Sequence, residues 1–176
     1  MFTLLVLLAL TSHQSFSQEI TPETLVLTVY PDGFVFVYYT LLGDQTFPTL
    51  NITVFGEVLE ALLVVDAEGL PLEYSVSNST LNVYSLGTSE IRVTYLTQDL
   101  TSKERRYWML TLDSPINVGI ILPIEATIIS LNKVPDMIET NNDKIMLFMN
   151  SGLIKITYVI GIIGTREHAQ IVLNEE

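Results

Sequence analysis

The chain has 176 residues, 48% of them hydrophobic and 16% charged, a balance that allows a sizeable buried core and excludes a largely disordered chain. Its formal net charge of −12 excludes the positive surface on which nucleic-acid binding depends. Residues 1–91 contain ten acids and no Lys or Arg, whereas residues 92–176 contain ten acids and all eight bases. The first half is therefore uniformly acidic and the second half is mixed.

The first 17 residues have the pattern of a secretory signal peptide. An apolar run from Leu4 to Leu10 precedes Ser15 and Ser17, small residues that suit cleavage before Gln18. The run is shorter than the roughly 20 apolar residues that span a bilayer. We therefore expect an exported protein, extracellular or at the cell surface, with no membrane span once the signal is removed.

Two further features fit an extracellular glycoprotein. Asn51 and Asn78 each begin an Asn-x-Ser/Thr sequon, so both are predicted glycosylation sites. The chain contains no cysteine, so its fold has to depend on an apolar core and not on disulfides.

Short runs of alternating apolar and β-branched residues predict an all-β fold, an antiparallel β-sandwich. Pro31-Asp32-Gly33 has the composition of a hairpin turn between strands at Leu25–Tyr30 and Phe34–Leu41. The one predicted helical turn covers Pro135–Thr140. The other predicted strands are Thr49–Phe55, Leu59–Asp66, Leu70–Val76, Thr80–Ser85, Glu90–Thr97, Arg106–Leu112, Val118–Leu122, Thr127–Leu131, Lys144–Met149, Leu153–Ile160 and Gln170–Leu173.

The sequence also repeats itself. Ile91–Tyr95 matches Ile154–Tyr158 position for position, 63 residues later, and earlier matches such as Asn51-Ile52 with Asn117-Val118 keep their order. We predict two similar tandem β modules, 18–97 and 98–163, that pack together, and a terminal strand and tail at 164–176 that begins a third copy. The alternative is that Val, Thr and Tyr recur because they suit any pleated sheet.

Residues suited to catalysis are few. Once the signal is removed, His168 is the one histidine, and it lies in a predicted turn without a Gly-x-Ser-x-Gly motif before it. The carboxylates that could support glycoside hydrolysis lie at predicted turns and strand ends, where solvated acids are usual. They are Glu57, Glu60, Asp66, Glu68 and Glu73. We predict no catalytic site, no enzyme and no required cofactor.

An acidic segment in the second half offers oxygen ligands for Ca²⁺. Asp136, Glu139, Asn141 and Asp143, with Asn142 between the last two, supply such oxygens. The same residues are also typical of an ordinary turn between strands. Calcium is the one metal that we consider here.

Lys103, Arg105, Arg106, Tyr107 and Trp108 form a basic and aromatic cluster. The cluster could bind a sugar by stacking, or an acidic partner through its charges. The repeat aligns Trp108 with Ile171, which favours a core position for the ring and a hairpin tip for the charges. We also hypothesise that this basic tip contacts the acidic first half of another molecule.

The segment from Ser102 to Gly161 combines a Tyr-Trp-x-Leu strand, two apolar-Pro steps at Leu122 and Val134, and a closing Ile-Thr-Tyr. In these features it resembles archaeal secreted and cell-surface β-sandwich proteins. We expect a non-catalytic structural or interaction protein of the cell envelope, a filament subunit that pairs strands with itself or with other envelope proteins. The alternative is a soluble glycan-binding β-sandwich.

Overall fold

The computed structural model describes residues 21–43, 47–85 and 87–161, and these residues form an all-β protein. The first seven strands are β1 (Thr21–Val29), β2 (Val35–Leu42), β3 (Thr49–Thr53), β4 (Glu60–Asp66), β5 (Tyr74–Ser77), β6 (Thr80–Tyr84) and β7 (Glu90–Thr97). The next seven are β8 (Thr101–Glu104), β9 (Tyr107–Ser114), β10 (Val118–Ile121), β11 (Ala126–Leu131), β12 (Met137–Asn141), β13 (Lys144–Met149) and β14 (Gly152–Ile160). No helix in this part of the chain is long and apolar enough to cross a membrane.

The strands form three sheets. A seven-stranded sheet has the order β12-β13-β10-β1-β2-β7-β4, a four-stranded sheet the order β11-β14-β9-β8, and a three-stranded sheet the order β3-β6-β5. Neighbouring strands run antiparallel except at β1 and β10, which run parallel. Buried side chains of all three sheets belong to one apolar core. The predicted all-β sandwich is therefore confirmed.

Strands β8–β14, the second module, repeat the pairing of strands β1–β7, the first module. In the first module β2 pairs with β1 and β7, and β7 pairs with β4. In the second module β9 pairs in the same way with β8 and β14, and β14 pairs with β11. Likewise β6 pairs with β3 and β5, as β13 pairs with β10 and β12. The chain therefore forms two similar tandem modules that pack together, as predicted.

The sequence match between Ile91–Tyr95 and Ile154–Tyr158 falls on the equivalent strands β7 and β14. Tyr95 faces Val37 on β2, and Tyr158 faces Trp108 on β9. Both tyrosine side chains are buried because alternate residues of each strand face the core. Strands β4 and β11, which flank these two strands, each contain a register shift.

Strand pairing corrects one part of the sequence alignment. Leu50 of β3 faces Val83, and Ile120 of β10 faces Leu147. Because Val83 and Leu147 lie at the same distance from their hairpin turns, Leu50 is the equivalent of Ile120. The match of Asn51-Ile52 with Asn117-Val118 is therefore displaced by several residues.

The two modules are joined by the parallel pairing of β1 with β10, in the register Val26–Gly119, Leu27–Ile120 and Thr28–Ile121. This joint merges the first module's β1-β2-β7-β4 with the second module's β10-β13-β12 into one sheet. A continuous buried row crosses it from Tyr95 through Val37, Leu27 and Ile120 to Leu147. The modules therefore share a sheet and a core.

The predicted helical turn at Pro135–Thr140 is wrong. Met137–Asn141 is the strand β12, which pairs with β13 through a two-residue turn. Asn142 and Asp143 have φ of 48° and 59°, the left-handed backbone that such hairpin turns require. The predicted signal peptide, the Gln170–Leu173 strand and the 164–176 tail lie outside the described residues.

Candidate interaction site

The basic and aromatic cluster lies on the β8–β9 hairpin. Arg105 and Arg106 form its turn, with Arg105 at a φ of 56°. Lys103 lies on β8, opposite Trp108 on β9. Lys103 and both arginines are exposed, so the hairpin tip presents three cations to solvent.

Trp108 is half-buried and packs between the modules. A Cβ placed on Gly33, in the β1–β2 turn, would lie 2.6 Å from Cζ3 of the indole, so the ring occupies the space that this glycine leaves. Thr101 Oγ1 donates a hydrogen bond of 2.6 Å to the carbonyl of Gly33. Lys103 Nζ lies 4.7 Å from the indole centroid. Trp108 is therefore a packing contact and not an open stacking surface.

A shallow groove of about 430 Å³ runs beside this contact, lined by Pro31, Lys103, Arg105, Arg106, Trp108 and Ile160. Tyr107, at the start of β9, is 37% exposed. The Arg106 guanidinium lies 5.2 Å from the Tyr107 ring centroid and donates a hydrogen bond of 3.1 Å to its hydroxyl. The groove is cationic and suits an acidic group better than an apolar one.

Three exposed acids, Glu57, Glu60 and Asp99, form a second charged feature, which we call the acidic loop. Asp99 Oδ2 accepts hydrogen bonds from the backbone N–H groups of Val58 (2.8 Å) and Glu57 (2.7 Å). These bonds hold the pKa of Asp99 below its usual value. They also fix the backbone that follows β3, so that Glu57 is presented to solvent.

Behind the acidic loop, the Tyr95 hydroxyl anchors the same segment. It donates a hydrogen bond of 3.1 Å to the carbonyl of Phe55 and accepts one of 2.8 Å from the N–H of that residue. Burial raises the pKa of Tyr95 well above its usual value. The hydroxyl is therefore neutral over the physiological pH range and able to donate.

Within the described part of the chain, six strands are the outermost strands of their sheets. Every residue of β5 and of its equivalent β12 is exposed. On β12, Met137 and Ile138 are 46% and 56% exposed. Strands β3 and β8 are the end strands of the three- and four-stranded sheets.

Both predicted glycosylation sites lie on the three-stranded sheet and are exposed. Asn51 is on β3, where its Oδ1 accepts a hydrogen bond of 2.6 Å from Asn82 Nδ2. Asn78 lies in the β5–β6 turn with a φ of 54°. The structure brings the two sequons to one sheet of the first module.

The structure does not gather the predicted calcium ligands. Asp136 precedes β12 and accepts a hydrogen bond of 2.7 Å from Asn150, whereas Asp143 is in the turn beyond the other end of the strand. Glu139 and Asn141 lie along the strand between them. Among the described residues, no group of three or more His, Cys, Asp or Glu side chains could hold a metal ion.

Of the residues considered for catalysis, the structure describes the carboxylates but not the histidines. His13 and His168, the two histidines, lie outside the described ranges. Asp66 Oδ1 accepts hydrogen bonds from the N–H groups of Glu68 and Leu70, so this carboxylate shapes its own turn.

Sequence reasoning missed the strand β12, although the repeat contained the signal for it. Strand β5 precedes β6 in the first module as β12 precedes β13 in the second.

No family model and no curated protein matches the sequence. Among solved structures, the M1 zinc metallopeptidase from Deinococcus radiodurans is 12% identical with a TM-score of 0.48, and the match covers 81% of this chain and 42% of that one. A point mutant of the same enzyme is 13% identical with a TM-score of 0.47, covering 78% and 42%. The chain thus spans less than half of these structures, and values this low support no inference about its activity.

Proposed function

We propose that this protein is a non-catalytic extracellular structural or interaction protein of the cell envelope, which associates with its partners by strand addition at sheet edges. The predicted signal peptide and the two exposed sequons support the location. The sequence without cysteine, and without a Gly-x-Ser-x-Gly motif before His168, supports an interaction role over an enzymatic one.

The observation that carries the proposal is the parallel joint between β1 and β10. Each module has the same seven-strand pairing, and the two are connected by adding a strand of one to the sheet edge of the other. Backbone groups of the two strands pair across this joint, while Leu27 and Ile120 close the core beneath it. Strand addition of this kind is a common mode of protein recognition, because backbone pairing supplies affinity and side chains supply specificity.

The test is the assembly state of the protein that begins at Gln18. Light scattering from micromolar to millimolar concentration, with electron microscopy of the concentrated sample, should show oligomers or filaments, or else binding to isolated cell envelopes. A protein that stays monomeric throughout and does not bind envelopes would contradict the proposal.

The exposed cations of the β8–β9 hairpin tip favour a second candidate, recognition of an acidic glycan. Because Trp108 packs on Gly33, Tyr107 is the better placed aromatic side chain for stacking. A glycan array should then show binding that Tyr107→Ala removes and Tyr84→Ala, a similarly exposed tyrosine of the first module, leaves unchanged. Absence of binding to any sugar would eliminate this candidate.

A further inference from the structure

We infer that the partner in strand addition is a second copy of this chain, and that the β12 strands of the two copies pair antiparallel with each other. The inference rests on the proposed function and names its partner and its edge. It depends on how the outermost strands of the three sheets differ.

Most of the outermost strands have features that oppose pairing with another chain. Strands β4 and β11 each contain a register shift, and Pro71 also pairs with the outer edge of β4. Strand β8 has four residues, of which Lys103 and Glu104 are charged. On β3, Thr49 and Asn51 already have interaction partners. Strand β5 has four residues and is followed at once by the second sequon.

Strand β12 is the edge best suited to pairing. It pairs with β13 in continuous register over five residues, and every one of its residues is exposed. Asn141 and Lys144 close a two-residue hairpin, so the backbone N–H and C=O groups of Ile138 and Thr140 point away from β13. Because β12 is the outermost strand of the seven-stranded sheet among the described residues, these groups face no described strand.

The buried row that crosses the β1–β10 joint ends at this strand. Leu147, the last buried member of the row, is fully buried and faces Ile138. Ile138 points to the same face of the sheet as Leu147 but is 56% exposed, so the core stops at this side chain. A strand added to β12 would therefore cover an apolar side chain that a single copy leaves in water.

The register of the joint follows from the backbone and from charge. Two identical antiparallel strands place one residue opposite itself, and with Ile138 at that position its N–H and C=O groups bond to those of the other Ile138. Thr140 N–H then reaches the C=O of Asp136 in the other copy, and Glu139 faces Met137. An axis at Glu139 would instead place two carboxylates about 5 Å apart, directly opposite each other, which is unfavourable.

This register extends the core from one copy into the other. Residues directly opposite each other in antiparallel strands share a face, so the two Ile138 side chains lie side by side and continue the buried row. The two seven-stranded sheets become one continuous sheet. Because each copy uses the same edge, the contact is isologous and the product is a closed dimer.

Single cysteines test the register, since the chain has no cysteine of its own. In two Ile138→Cys copies the Cα atoms would lie about 5.5 Å apart, a distance that a disulfide spans. Mild oxidation should therefore produce a disulfide-linked dimer on a non-reducing gel. Thr140→Cys is the matched control on the same edge and face, because its two copies would lie about 13 Å apart along the strand and should not cross-link. Equal cross-linking of both variants, or none of Ile138→Cys in an associating protein, would overturn the inference.

Ile138→Lys tests the apolar contact between the copies. Because the axis places this residue opposite itself, two ammonium groups would meet in the joint, and association should weaken at least tenfold. Ile129→Lys, at a similarly exposed Ile of β11, should change association by less than threefold. Sedimentation measures association, and circular dichroism confirms that the variants are folded. Equal effects of the two lysines would contradict the β12 joint.

Proline substitutions separate the inference from the proposed function. Ile138→Pro removes an outward N–H of β12 and should weaken association at least tenfold. Val76→Pro removes the outward N–H of β5, the equivalent edge strand of the first module, and should leave association unchanged. If only Val76→Pro abolishes association, the β12 joint is wrong while strand addition stands.

The unsubstituted protein, beginning at Gln18, completes the test. If it stays monomeric at millimolar concentration but binds isolated cell envelopes, a second copy is the wrong partner and the proposed function stands. If it neither associates nor binds envelopes, the proposed function fails together with the inference.

Discussion

The two modules share their strand pairing but differ at their buried tyrosines. The Tyr95 hydroxyl exchanges two hydrogen bonds with the backbone of Phe55, whereas the equivalent Tyr158 hydroxyl is buried without a partner among the described residues. The connection from β3 to β4 spans 54–59, and the connection from β10 to β11 spans only 122–125. No described residue of the shorter connection bonds to the Tyr158 hydroxyl as Phe55 bonds to that of Tyr95. The two modules thus share topology and apolar packing, while hydrogen bonding depends on the local loop.

Burial affects the two phenols in the same direction. It raises the pKa of Tyr95 above the physiological range and the pKa of Tyr158 to about 12. Both hydroxyls are therefore neutral near pH 7. The modules differ in how these hydroxyls are bonded, not in their charge.

The largest expected effect comes from exchanging equivalent residues of β1 and β8. Leu27 is fully buried at the joint, so Leu27→Lys places a charge in the core and should lower the free energy of unfolding by about 4 kcal/mol. The reciprocal substitution Lys103→Leu changes an exposed position and should alter the free energy of unfolding by no more than about 0.5 kcal/mol. Urea unfolding measures both. If both variants lose similar amounts of unfolding free energy, the distinction between β1 as a paired strand and β8 as an edge strand is wrong.

Next in size is Gly33→Ala, which tests the contact between the modules. Gly33 has a φ of 92°, and a Cβ there would overlap the Trp108 ring, so we expect a loss of about 3 kcal/mol. Gly69→Ala is the matched control, since Gly69 has a φ of 84° and no atom within 4 Å of an added Cβ. Its backbone strain alone should cost about 1 kcal/mol. If thermal unfolding shows equal losses of stability for Gly33→Ala and Gly69→Ala, Trp108 does not pack against Gly33.

The tyrosine comparison itself predicts a smaller effect. Tyr95→Phe leaves the N–H and carbonyl of Phe55 without their partner and should destabilise the protein by about 2 kcal/mol. Tyr158→Phe removes a buried hydroxyl that bonds to no described residue, and should be neutral or stabilising by up to about 1 kcal/mol. Chemical denaturation of the two variants side by side gives both values. A larger loss for Tyr158→Phe would reverse the comparison.

The smallest expected effect concerns Asp99, which bonds to the longer β3–β4 connection of the first module. Hydrogen bonds from Val58 and Glu57 lower its pKa in the folded protein, so its ionised form stabilises the fold above the unfolded value of 3.8. That stabilisation is lost as the pH falls through the lower, folded value. Because the carboxylate is exposed, Asp99→Asn should cost no more than about 1 kcal/mol near pH 7.

The pH dependence of the destabilisation by Asp99→Asn tests whether the charge of Asp99 is its cause. The difference in unfolding free energy between Asp99→Asn and the unsubstituted protein should shrink as the pH is lowered below about 4. Asp113→Asn, an exposed acid on β9, serves as the control. A difference that stays constant from neutral to acid pH would show that the Asp99 charge does not support the loop.

The fold was predictable from sequence where alternation and repetition coincide. The match of Ile91–Tyr95 with Ile154–Tyr158 located two equivalent core strands because burial on alternate residues constrains both in the same way. Strand β12 was mistaken for a helical turn because its residues are exposed and carry no alternating pattern. Pairing with β13, a tertiary contact, decides its structure.

The candidate site was predictable in composition but not in arrangement. The cationic hairpin tip of Arg105 and Arg106 could be located from sequence alone. The packing of Trp108 on Gly33 could not, since 75 positions separate them along the chain and the sequence does not reveal which turn meets which ring. The acidic loop depends in the same way on Asp99 reaching back to the N–H of Glu57.

The β1–β10 joint also has a consequence for the order of folding. Val26 pairs with Gly119, 93 positions later, so during synthesis from the amino-terminal end the edge of β1 stays open until β10, the third strand of the second module, has emerged. Contacts between such distant residues slow folding and leave a period in which an open strand can pair wrongly. The joint that gives the finished chain its continuous sheet is thus also the point at which an unfinished chain is most exposed to aggregation.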